Sequence, residues 1–330
     1  MTDVQEFHPL ITIVMPVYNG TNYLQESVNS ALAQTYDNIE IVVVNDGSTD
    51  DGATDALAQS LARQYPDKIR YFSKENGGVS SALNLALEKA RGRWFSWLSH
   101  DDLYYPDKIK AQVDYIGELL RKNPNIDLDR VVLRCGAELI DADGKVIYSK
   151  KRSGVKEWEP IIETILNNIY YYRLSGCAFL TPLDAVKKIG GFNEELRAVS
   201  DAEYWYRLLF AGYDFYYVDR RLVQSRMHKS QVGKTRVALC KREIEELHLW
   251  FIERIWENEE WRKSAIFLRL YIYLCKRELN DAAKRALTYW RRLDRSLSDR
   301  VKIRVYGLGY SCFGKARGMV RDIFYALKVK

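Results

Sequence analysis

The stretch WLSHDDLYYP, Trp97–Pro106, places a histidine and two adjacent aspartates directly after an apolar run. Neighbouring carboxylates repel each other, so they need either a cation or a solvated position to lie side by side. Their hard oxygen atoms suit Mg²⁺ or Mn²⁺. A solvated Asp-Asp cap before the next helix explains the pair equally well on these residues alone. The stretch therefore predicts a divalent cation site or a helix cap.

Three further polar residues stand at positions where chemistry is plausible. Asp46, in VNDGSTD, follows an apolar run, and it can either contact a ligand or simply begin an Asp-Gly turn. Asp201, in VSDAEYWYRL, opens a predicted helix, where a negative charge is also favoured by the helix dipole alone. His228, in QSRMHKSQV, can be a ligand or a packed surface histidine. Each residue has a structural explanation beside the functional one.

The first third of the chain alternates apolar runs with helical patterns. The runs predict four buried strands, at Leu10–Tyr18, Ile39–Asp46, Ile69–Ser73 and Arg93–Ser99. A β-α-β-α order implies a parallel sheet with helices on both faces, and ligands of such sheets bind at the carboxyl ends of the strands. The residues at these ends are Asn19, Asp46, His100, Asp101 and Asp102. We therefore expect them to share one edge of the sheet.

The middle of the chain has a different pattern. Val131–Ser149 predicts a strand and a hairpin that turns at Asp143-Gly144, and Tyr170–Pro182 predicts another strand. Ser200–Gly212 predicts a helix, and Tyr213–Asp219 predicts a short strand after it. These elements favour a mixed sheet that closes over the first part, and several helices are expected after Gly233.

Cysteine use and hydropathy indicate the compartment. The five cysteines are widely spaced and form no C-x-x-C pair, which favours reduced thiols and disfavours a zinc site. The first residues, MTDVQEFHPL, lack the pattern of a signal peptide, and no apolar run is long enough to span a membrane. We expect a cytoplasmic protein.

The end of the chain is basic. Residues 281–330 hold 13 Lys or Arg against 4 Asp, whereas the remainder has a slight negative net charge. These helical patterns would suit peripheral contact with anionic lipid at the inner face of a membrane, or a contact with another copy of the chain. Arg295, Arg300 and Lys302 belong to this basic segment. We expect no nucleic-acid partner.

Three motifs in order resemble glycosyltransferase family 2. ITIVMPVYNGTNYLQESVNSALAQTYDNIEIVVVNDGSTDDGA is similar to the opening of that family, and ENGGVSSALNLALEKARGRWFSWLSHDD is similar to its continuation through the acidic metal motif. SGCAFLTPLDAVKKIGGFNEELRAVSDAEYWYRLLFAG resembles its acceptor-side half. The resemblance covers residues 10–232. Together the motifs are far more specific than any one of them.

The resemblance implies an α/β protein with the Rossmann-like GT-A fold, a mainly parallel central sheet flanked by helices. Residues 1–232 would be the catalytic domain, with a nucleotide-binding half at about 1–103 and an acceptor-binding half at about 104–232. Residues 233–330 would be a basic helical extension. The implied reaction moves a hexose or N-acetylhexosamine from a UDP-sugar to a glycan, glycolipid or glycoprotein, with inversion and with Mn²⁺ or Mg²⁺.

The resemblance also assigns roles to residues on the donor side. The implied donor-nucleotide residues are Pro16, Tyr18, Asn19, Asp46, Ser99, His100 and Asp101. The implied metal ligands are Asp101, Asp102 and His228. Two positions depart from the family. Ser99 stands where an acid commonly holds the ribose, so Ser99 or His100 is expected to substitute, and Leu83 stands where many relatives have Arg.

On the acceptor side, Asp201 occupies the position of the family's catalytic base, with Ser200 in place of the usual preceding Glu. Glu203 is the alternative base. The implied acceptor-binding residues are Ser175, Gly176, Cys177, Gly191 and Phe192.

Two other readings compete with an active transferase. The departures at Ser99 and Leu83 would also fit a catalytically impaired glycosyltransferase-like protein that binds or scaffolds a partner. A dinucleotide-binding enzyme is disfavoured because G-x-G-x-x-G does not follow the first strand. Hydrolysis of a UDP-sugar with and without Mn²⁺ separates the active from the impaired protein.

Overall fold

A computed structural model of the protein describes residues 7–149, 156–171, 176–229 and 237–293. The chain divides into two compact units, residues 1–240 and 241–330. The first unit contains all the strands among the described residues and every predicted site residue. The second unit is helical in its described part. Each unit is considered by itself below.

The strands of the first unit form one mixed sheet. Their bounds are β1 Ile11–Val17, β2 Ile39–Asp46, β3 Ile69–Lys74, β4 Trp94–Trp97, β5 Leu103–Tyr104, β6 Val131–Ile140, β7 Val146–Tyr148, β8 Phe179–Pro182 and β9 Asp214–Arg226. The spatial order is β3-β2-β1-β4-β8-β6-β9-β5, and β7 pairs with the carboxyl-terminal end of β6.

The helices of the first unit lie between these strands in the sequence. Their bounds are α1 Leu24–Leu32, α2 Ala53–Gln64, α3 Val79–Lys89, α4 Lys108–Lys122, α5 Ile161–Tyr171, α6 Asp184–Ile189 and α7 Ser200–Phe210. A further helix, α8 Val237–Glu257, begins in the first unit and continues into the second.

The first four strands run parallel, as their apolar sequences predict. Every residue of β1, β2 and β4 is buried, because helices cover both faces of a parallel sheet and leave no face for water. This confirms the predicted α/β architecture. It also brings the carboxyl ends of β1, β2 and β4 to one edge, since β1 pairs with β2 on one side and with β4 on the other.

The later strands turn the sheet back towards this edge. β8 runs antiparallel to β4 and β6, whereas β6 and β9 run parallel. β9 then passes β5, with Leu103 opposite Gln224. The end of β9 therefore lies directly beside the residues that follow β4.

Two predicted elements in this region have different bounds in the structure. Residues 170–182 were expected to form one strand, but α5 extends to Tyr171 and β8 begins only at Phe179. Ile165 and Leu166 of α5 are fully buried, so packing of this helical face outweighs the strand preference of the tyrosine run. β9 has 13 residues, and a register shift near Gly136 of its partner strand lets it continue past Asp219.

The second unit contains helices, as the sequence predicts. Besides the greater part of α8, these are α9 Ser264–Lys276 and α10 Asn280–Arg292. Trp256 stacks on Tyr289 with 4.2 Å between ring centroids, and Phe267 packs edge-on against both rings. No helix among the described residues has both the length and the apolarity needed to cross a membrane. Arg295, Arg300 and Lys302 of the basic segment lie outside the described residues.

Candidate active site

The candidate site begins where His228 meets Asp101. His228 Nε2 lies 2.8 Å from Asp101 Oδ2, and each side chain is only 15% exposed. Asp101 follows β4 and His228 follows β9, so the pairing of β5 with β9 brings together two residues that are 127 positions apart. The Tyr23 ring packs beside His228, with 5.5 Å between the ring centroids. A carboxylate and an imidazole thus converge at the edge of the sheet.

Asp102 has different surroundings from its neighbour. Its carboxylate accepts hydrogen bonds from the Arg226 backbone N–H at 2.8 Å, from Ser225 Oγ at 3.3 Å and from Cys177 Sγ at 3.1 Å. The side chain is buried, and this burial, with the nearby Asp101 charge, raises the pKa of Asp102. These contacts bind the end of β9 to the segment that follows β4. Asp102 therefore holds the backbone that carries Asp101 and His228.

A buried arginine that the sequence analysis did not single out holds the same junction. Arg226 Nε donates to the Asp101 carbonyl oxygen at 2.9 Å, Nη1 to the Ala142 carbonyl oxygen at 2.8 Å and Nη2 to Glu26 Oε2 at 2.7 Å. Its guanidinium also lies over the Tyr23 ring, 4.5 Å from the centroid. Since Arg226 is two residues before His228, these bonds fix the backbone on both sides of the Asp101–His228 pair.

The end of β1 forms an open polar surface. Tyr18 is 43% exposed, and its hydroxyl lies 3.3 Å from Thr49 Oγ1. Asn19 has a positive φ of 48°, its backbone N–H donates to Ser48 Oγ, and its Oδ1 accepts from the Thr49 N–H. Pro16, in contrast, is buried within β1. An exposed ring beside paired amide and hydroxyl groups can receive a flat, hydrogen-bonding ligand such as a nucleobase.

Asp46 lies at the end of β2 and organises the next turn. Its carboxylate accepts from the backbone N–H groups of Gly77 and Gly78, at 2.9 and 2.7 Å, and from Lys74 Nζ at 3.2 Å. Asp46 is 3% exposed. Gly78 has a φ of 88°, which an L-residue rarely adopts. The carboxylate therefore shapes the turn that opens α3, at the same sheet edge as Asp101.

Ser99 and His100 connect β4 to the acidic pair. The Ser99 N–H donates to Cys177 Sγ at 3.3 Å, so this serine is engaged with the second half of the domain. His100 packs against Gly20, where a Cβ would collide with its ring. Burial lowers the pKa of His100, His228 lowers it further, and Asp101 opposes the shift. Both residues lie between β4 and Asp101 in the sequence, and His100 also contacts the loop that follows β1.

Three of the predicted acceptor residues, Gly176, Cys177 and Phe192, are buried, and Gly191 is half-buried. Gly176 and Cys177 are buried, with Gly176 against the Trp97 ring. Phe192 is 3% exposed and stacks on Tyr204. Of these residues, Cys177 contacts the candidate site directly, through the Ser99 N–H and the Asp102 carboxylate. Ser175 lies outside the described residues. An acceptor-binding role for the five predicted residues stays a prediction.

Asp201 stands in the first turn of α7. Its Oδ1 accepts a hydrogen bond from the Ala202 backbone N–H at 2.7 Å. Burial raises the pKa of the Asp201 carboxyl to about 6, although hydrogen bonds from the backbone of Ala202 and of Asp201 itself oppose the shift. Glu203, the alternative base, is instead paired with Arg207 Nε at 2.6 Å. A carboxylate with a raised pKa is a better proton acceptor than an ordinary aspartate, and Glu203 is held by its ion pair.

The donor-side residues fit a divalent cation that is shared with a ligand. Among the described residues, no cluster of three or more His, Cys, Asp or Glu side chains could hold a metal ion. Proteins often bind Mg²⁺ through one or two side chains together with the oxygens of a bound phosphate. Asp101 and His228 offer one oxygen and one nitrogen at the sheet edge, and Mn²⁺ accepts an imidazole nitrogen more readily than the harder Mg²⁺ does.

Comparisons with known proteins identify the family. Residues 12–122 match the family model described as glycosyl transferase family 2. An uncharacterized glycosyltransferase of Rickettsia typhi is 40% identical over 253 residues, which are 77% of this chain and 74% of the relative. The match to a relative from Rickettsia bellii is 39% identical but spans only 35% of that longer protein. A putative teichuronic acid biosynthesis glycosyltransferase of Bacillus subtilis, TuaG, is 27% identical over 79% of this chain and 98% of its own length.

Solved structures show the same fold at lower identity. TarS of S. aureus, residues 1–349 in complex with UDP-GlcNAc, is 15% identical with a TM-score of 0.55, covering 86% of this chain and 89% of TarS 1–349. The mannosyltransferase PcManGT of Pyrobaculum calidifontis, in complex with GDP-Man and Mn²⁺, is 18% identical with a TM-score of 0.57, over 93% and 84% of the two chains. The chain has the GT-A fold and belongs to glycosyltransferase family 2.

Proposed function

We propose that this chain is an inverting glycosyltransferase that moves a hexose or an N-acetylhexosamine from a UDP-sugar to a glycan, glycolipid or glycoprotein acceptor. The observation that carries the proposal is the Asp101–His228 pair at 2.8 Å, at the edge where β1, β2 and β4 also end. Family membership and the presence of nucleotide-sugars in the complexes of TarS and PcManGT support it.

The nucleotide would bind at the ends of β1 and β2. Tyr18 is exposed and flat, so the uracil ring can stack on it, while Asn19 and Thr49 offer polar atoms at the rim. Asp46 would contact the ring nitrogen of uracil through a lone pair not used by Gly77, Gly78 and Lys74, since a carboxylate offers about four acceptor positions. A UDP complex of TarS is consistent with UDP as the nucleotide.

Asp101 and His228 would hold a divalent cation against the donor diphosphate. When bound, Mn²⁺ or Mg²⁺ would neutralise the charge that develops on the departing nucleoside diphosphate. Asp101 supplies the carboxylate oxygen and His228 the imidazole nitrogen, provided that Nε2 is unprotonated. Asp102 was also expected to bind the metal. We now give it a supporting role, because its oxygens accept bonds from Arg226, Ser225 and Cys177.

Asp201 would act on the acceptor side. Direct displacement with inversion requires the acceptor hydroxyl to attack from the face opposite the leaving diphosphate, and a carboxylate must remove its proton during the attack. Asp101 cannot serve, because it is paired with His228 on the leaving-group side. Asp201 is half-buried and has a pKa of about 6, which lets it accept a proton near neutral pH.

The names of two relatives support a proposal for the acceptor class. TuaG is named for teichuronic acid biosynthesis, and another match in Bacillus subtilis, 40% identical over 34% of this chain, is the minor teichoic acid biosynthesis protein GgaB. Both names point to anionic cell-surface polymers. We therefore favour a growing surface glycan or its lipid-linked precursor as the acceptor. The basic segment at 281–330 would attract such an anionic substrate, or the membrane that carries it.

The test is a panel of UDP-sugars incubated with the purified chain in Mn²⁺, in Mg²⁺ or in excess EDTA. Mass spectrometry would follow UDP release and transfer to surface-glycan fragments, and NMR would read the anomeric configuration of the product. We expect cation-dependent turnover of one UDP-sugar with inversion. A chain that binds a UDP-sugar but turns over none of the panel would be the impaired, scaffold-type protein instead.

A further inference from the structure

An irregular segment leads from α6 to the candidate base. Residues 190–199, here called the acceptor loop, have no helix or strand and end where α7 begins with Ser200 and Asp201. The position of Asp201 therefore depends on how this loop is held. Loops with few fixed contacts are mobile, and a displacement of about 1 Å at a catalytic group can reduce the rate by about 10²-fold.

Asn84 of α3 holds the acceptor loop through the loop's backbone. Its Nδ2 donates to the Phe192 carbonyl oxygen at 2.9 Å, and its Oδ1 accepts from the Phe192 N–H at 2.8 Å. Nδ2 also lies 2.8 Å from Glu194 Oε1. A single side-chain amide thus pairs with both polar groups of one peptide residue, 108 positions away, as a neighbouring strand would.

Gly191 makes this pairing sterically feasible. A Cβ built at Gly191 would collide with Asn84 Oδ1, and the carboxamide carbon of Asn84 would lie within 3.0 Å of it. The backbone approaches the asparagine closely because residue 191 has no side chain. Asn84 and Gly191 therefore form a matched pair across the two halves of the domain.

Phe192 transmits this contact to α7. Its ring is 3% exposed and stacks on Tyr204, with 4.4 Å between centroids and 27° between planes. Tyr204 is three residues after Asp201 and therefore lies near it on the same face of α7. The backbone of Phe192 is bound to α3, and its side chain is packed on the helix that carries the candidate base.

A second contact holds the loop independently. Arg197 Nη1 donates to the Gly77 carbonyl oxygen, in the turn whose N–H groups bind Asp46. Loss of the Asn84 contact would therefore leave the loop attached at Arg197. A variant at position 84 should fold, because Asn84 is half-buried and the apolar residues of α3 that pack on the sheet are unchanged.

We infer that Asn84 is a positioning residue for transfer: by binding the backbone of Phe192 it sets the place of α7, and with it the Asp201 carboxylate, relative to the bound donor. The inference rests on the proposed function, in which Asp201 is the base. Asn84 touches neither donor nor acceptor in this account. Its loss should therefore slow the transfer step without weakening the binding of the nucleotide-sugar.

The experiment compares wild type, Asn84→Ala and the control Glu88→Gln, one turn further along α3, whose exposed carboxylate pairs with Lys89 at 2.7 Å. Calorimetry would give the donor Kd, and a transfer assay would give kcat and the acceptor KM. Hydrogen exchange would measure the protection of the Phe192 amide. For Asn84→Ala we expect a donor Kd within about two-fold of wild type, a kcat lowered about 10- to 100-fold and clearly faster exchange at Phe192. The control should match wild type in every measurement.

A double-mutant cycle separates positioning from general damage. Gly191→Ala should lower kcat in the wild-type background, because its methyl group collides with Asn84, but it should have little further effect in Asn84→Ala, where the collision is absent. Fully additive losses would contradict the matched pair.

Faster exchange at Phe192 with an unchanged kcat would overturn the inference and leave the proposed function intact. A wild-type chain without transfer would be recognised before any variant is made; it would remove the proposed function, and the inference with it.

Discussion

The donor side and the acceptor side of the site hold their carboxylates in different ways. Asp46 accepts hydrogen bonds from three donors and Asp102 from another three, and both aspartates are buried at strand ends. Asp201 accepts one at 2.7 Å from the first turn of its own helix, and burial raises its pKa to about 6. Burial raises the pKa of Asp102 as well, to about 7. The two sides therefore differ in what holds each carboxylate, groups from other elements or its own helix, and not in the direction of the pKa shift.

This difference matches the two tasks. Binding a diphosphate with a cation requires polar groups in fixed places, and hydrogen bonds from other elements fix Asp46 and Asp102. Removing a proton requires a carboxylate that gains and loses a proton near neutral pH, and a poorly solvated aspartate on a helix provides that. In the proposed mechanism the donor side would therefore hold its carboxylates in fixed places, and the acceptor side would exchange a proton. The following changes would break or sharpen this distinction.

The largest effect is expected from the donor side. Asp101→Asn removes the negative charge that would face the cation while keeping an amide that can hydrogen-bond His228, so transfer should fall about 10³-fold. Asp114→Asn is the control, since this aspartate is 56% exposed on α4 and pairs with Lys110. Transfer assays at saturating donor and Mn²⁺ would measure both variants. Equal rates for the two variants would contradict a metal role for Asp101.

The hydrogen bonds of Arg226 at the donor side should contribute strongly to the free energy of unfolding. Arg226→Met leaves the carbonyl groups of Asp101 and Ala142 without their buried donor, so we expect the free energy of unfolding to fall by about 3 kcal/mol. Glu26→Gln changes only the half-exposed partner of Arg226 and should cost less than about 1 kcal/mol. Urea unfolding followed by circular dichroism would compare them. A larger loss for Glu26→Gln would show that the ion pair, and not the backbone contacts, holds the junction.

A smaller effect is expected at the nucleobase. Tyr18→Ala removes an exposed ring and should weaken donor binding about tenfold, within the usual range for base stacking. Tyr18→Phe keeps the ring and loses only the 3.3 Å contact with Thr49, so its donor Kd should stay within about two-fold of wild type. Calorimetry with UDP would decide between them. If Tyr18→Phe binds as weakly as Tyr18→Ala, the hydroxyl and not stacking supplies the affinity.

The smallest effect is expected from a change of pH, which should alter kcat gradually. If Asp201 is the base, as proposed, it is active only when unprotonated. Burial raises its pKa to about 6, so kcat should level off above about pH 7, halve near pH 6 and fall about tenfold for each further pH unit. Burial also raises the pKa of Asp102, to about 7, so the wild-type profile is compared with that of Asp102→Asn, in which only Asp201, among the described carboxyls of the site, retains a raised pKa. Donor affinity measured over the same range serves as the control. A kcat that is unchanged down to pH 5 would exclude Asp201 as the titrating base.

Local patterns predicted the donor side well and the acceptor side less well. The bounds of β2 and α3 agree with their sequence patterns, and parallel strands necessarily bring Asp46 and Asp101 to one edge. Of the strand predicted at Tyr170–Pro182, the end is confirmed as β8 at Phe179–Pro182, but its start belongs to α5, because a tyrosine-rich run suits a strand or a buried helix and tertiary packing decides between them.

Long-range partners could not be predicted from spacing. Arg226 and Glu26 are 200 positions apart, and Asn84 and Phe192 are 108 apart, so no local pattern joins them. The link between Asp101 and His228 was expected only through the family resemblance. The adjacent glycines Gly190 and Gly191 are the sequence feature that bears on the contact with Asn84. Adjacent glycines after a helix indicate that another group approaches the backbone closely, but they do not reveal which residue it is.

The central claim, that binding and proton removal are divided between the two sides, is tested most directly by Asp201→Asn. Calorimetry would measure its affinity for the UDP-sugar in Mn²⁺, and a transfer assay would measure its rate, with Glu203→Gln in parallel. The account predicts a donor Kd within a few-fold of wild type and a transfer rate lowered by about 10²–10⁴-fold, the usual contribution of a positioned base. A rate near wild type in Asp201→Asn, together with a large loss in Glu203→Gln, would contradict it.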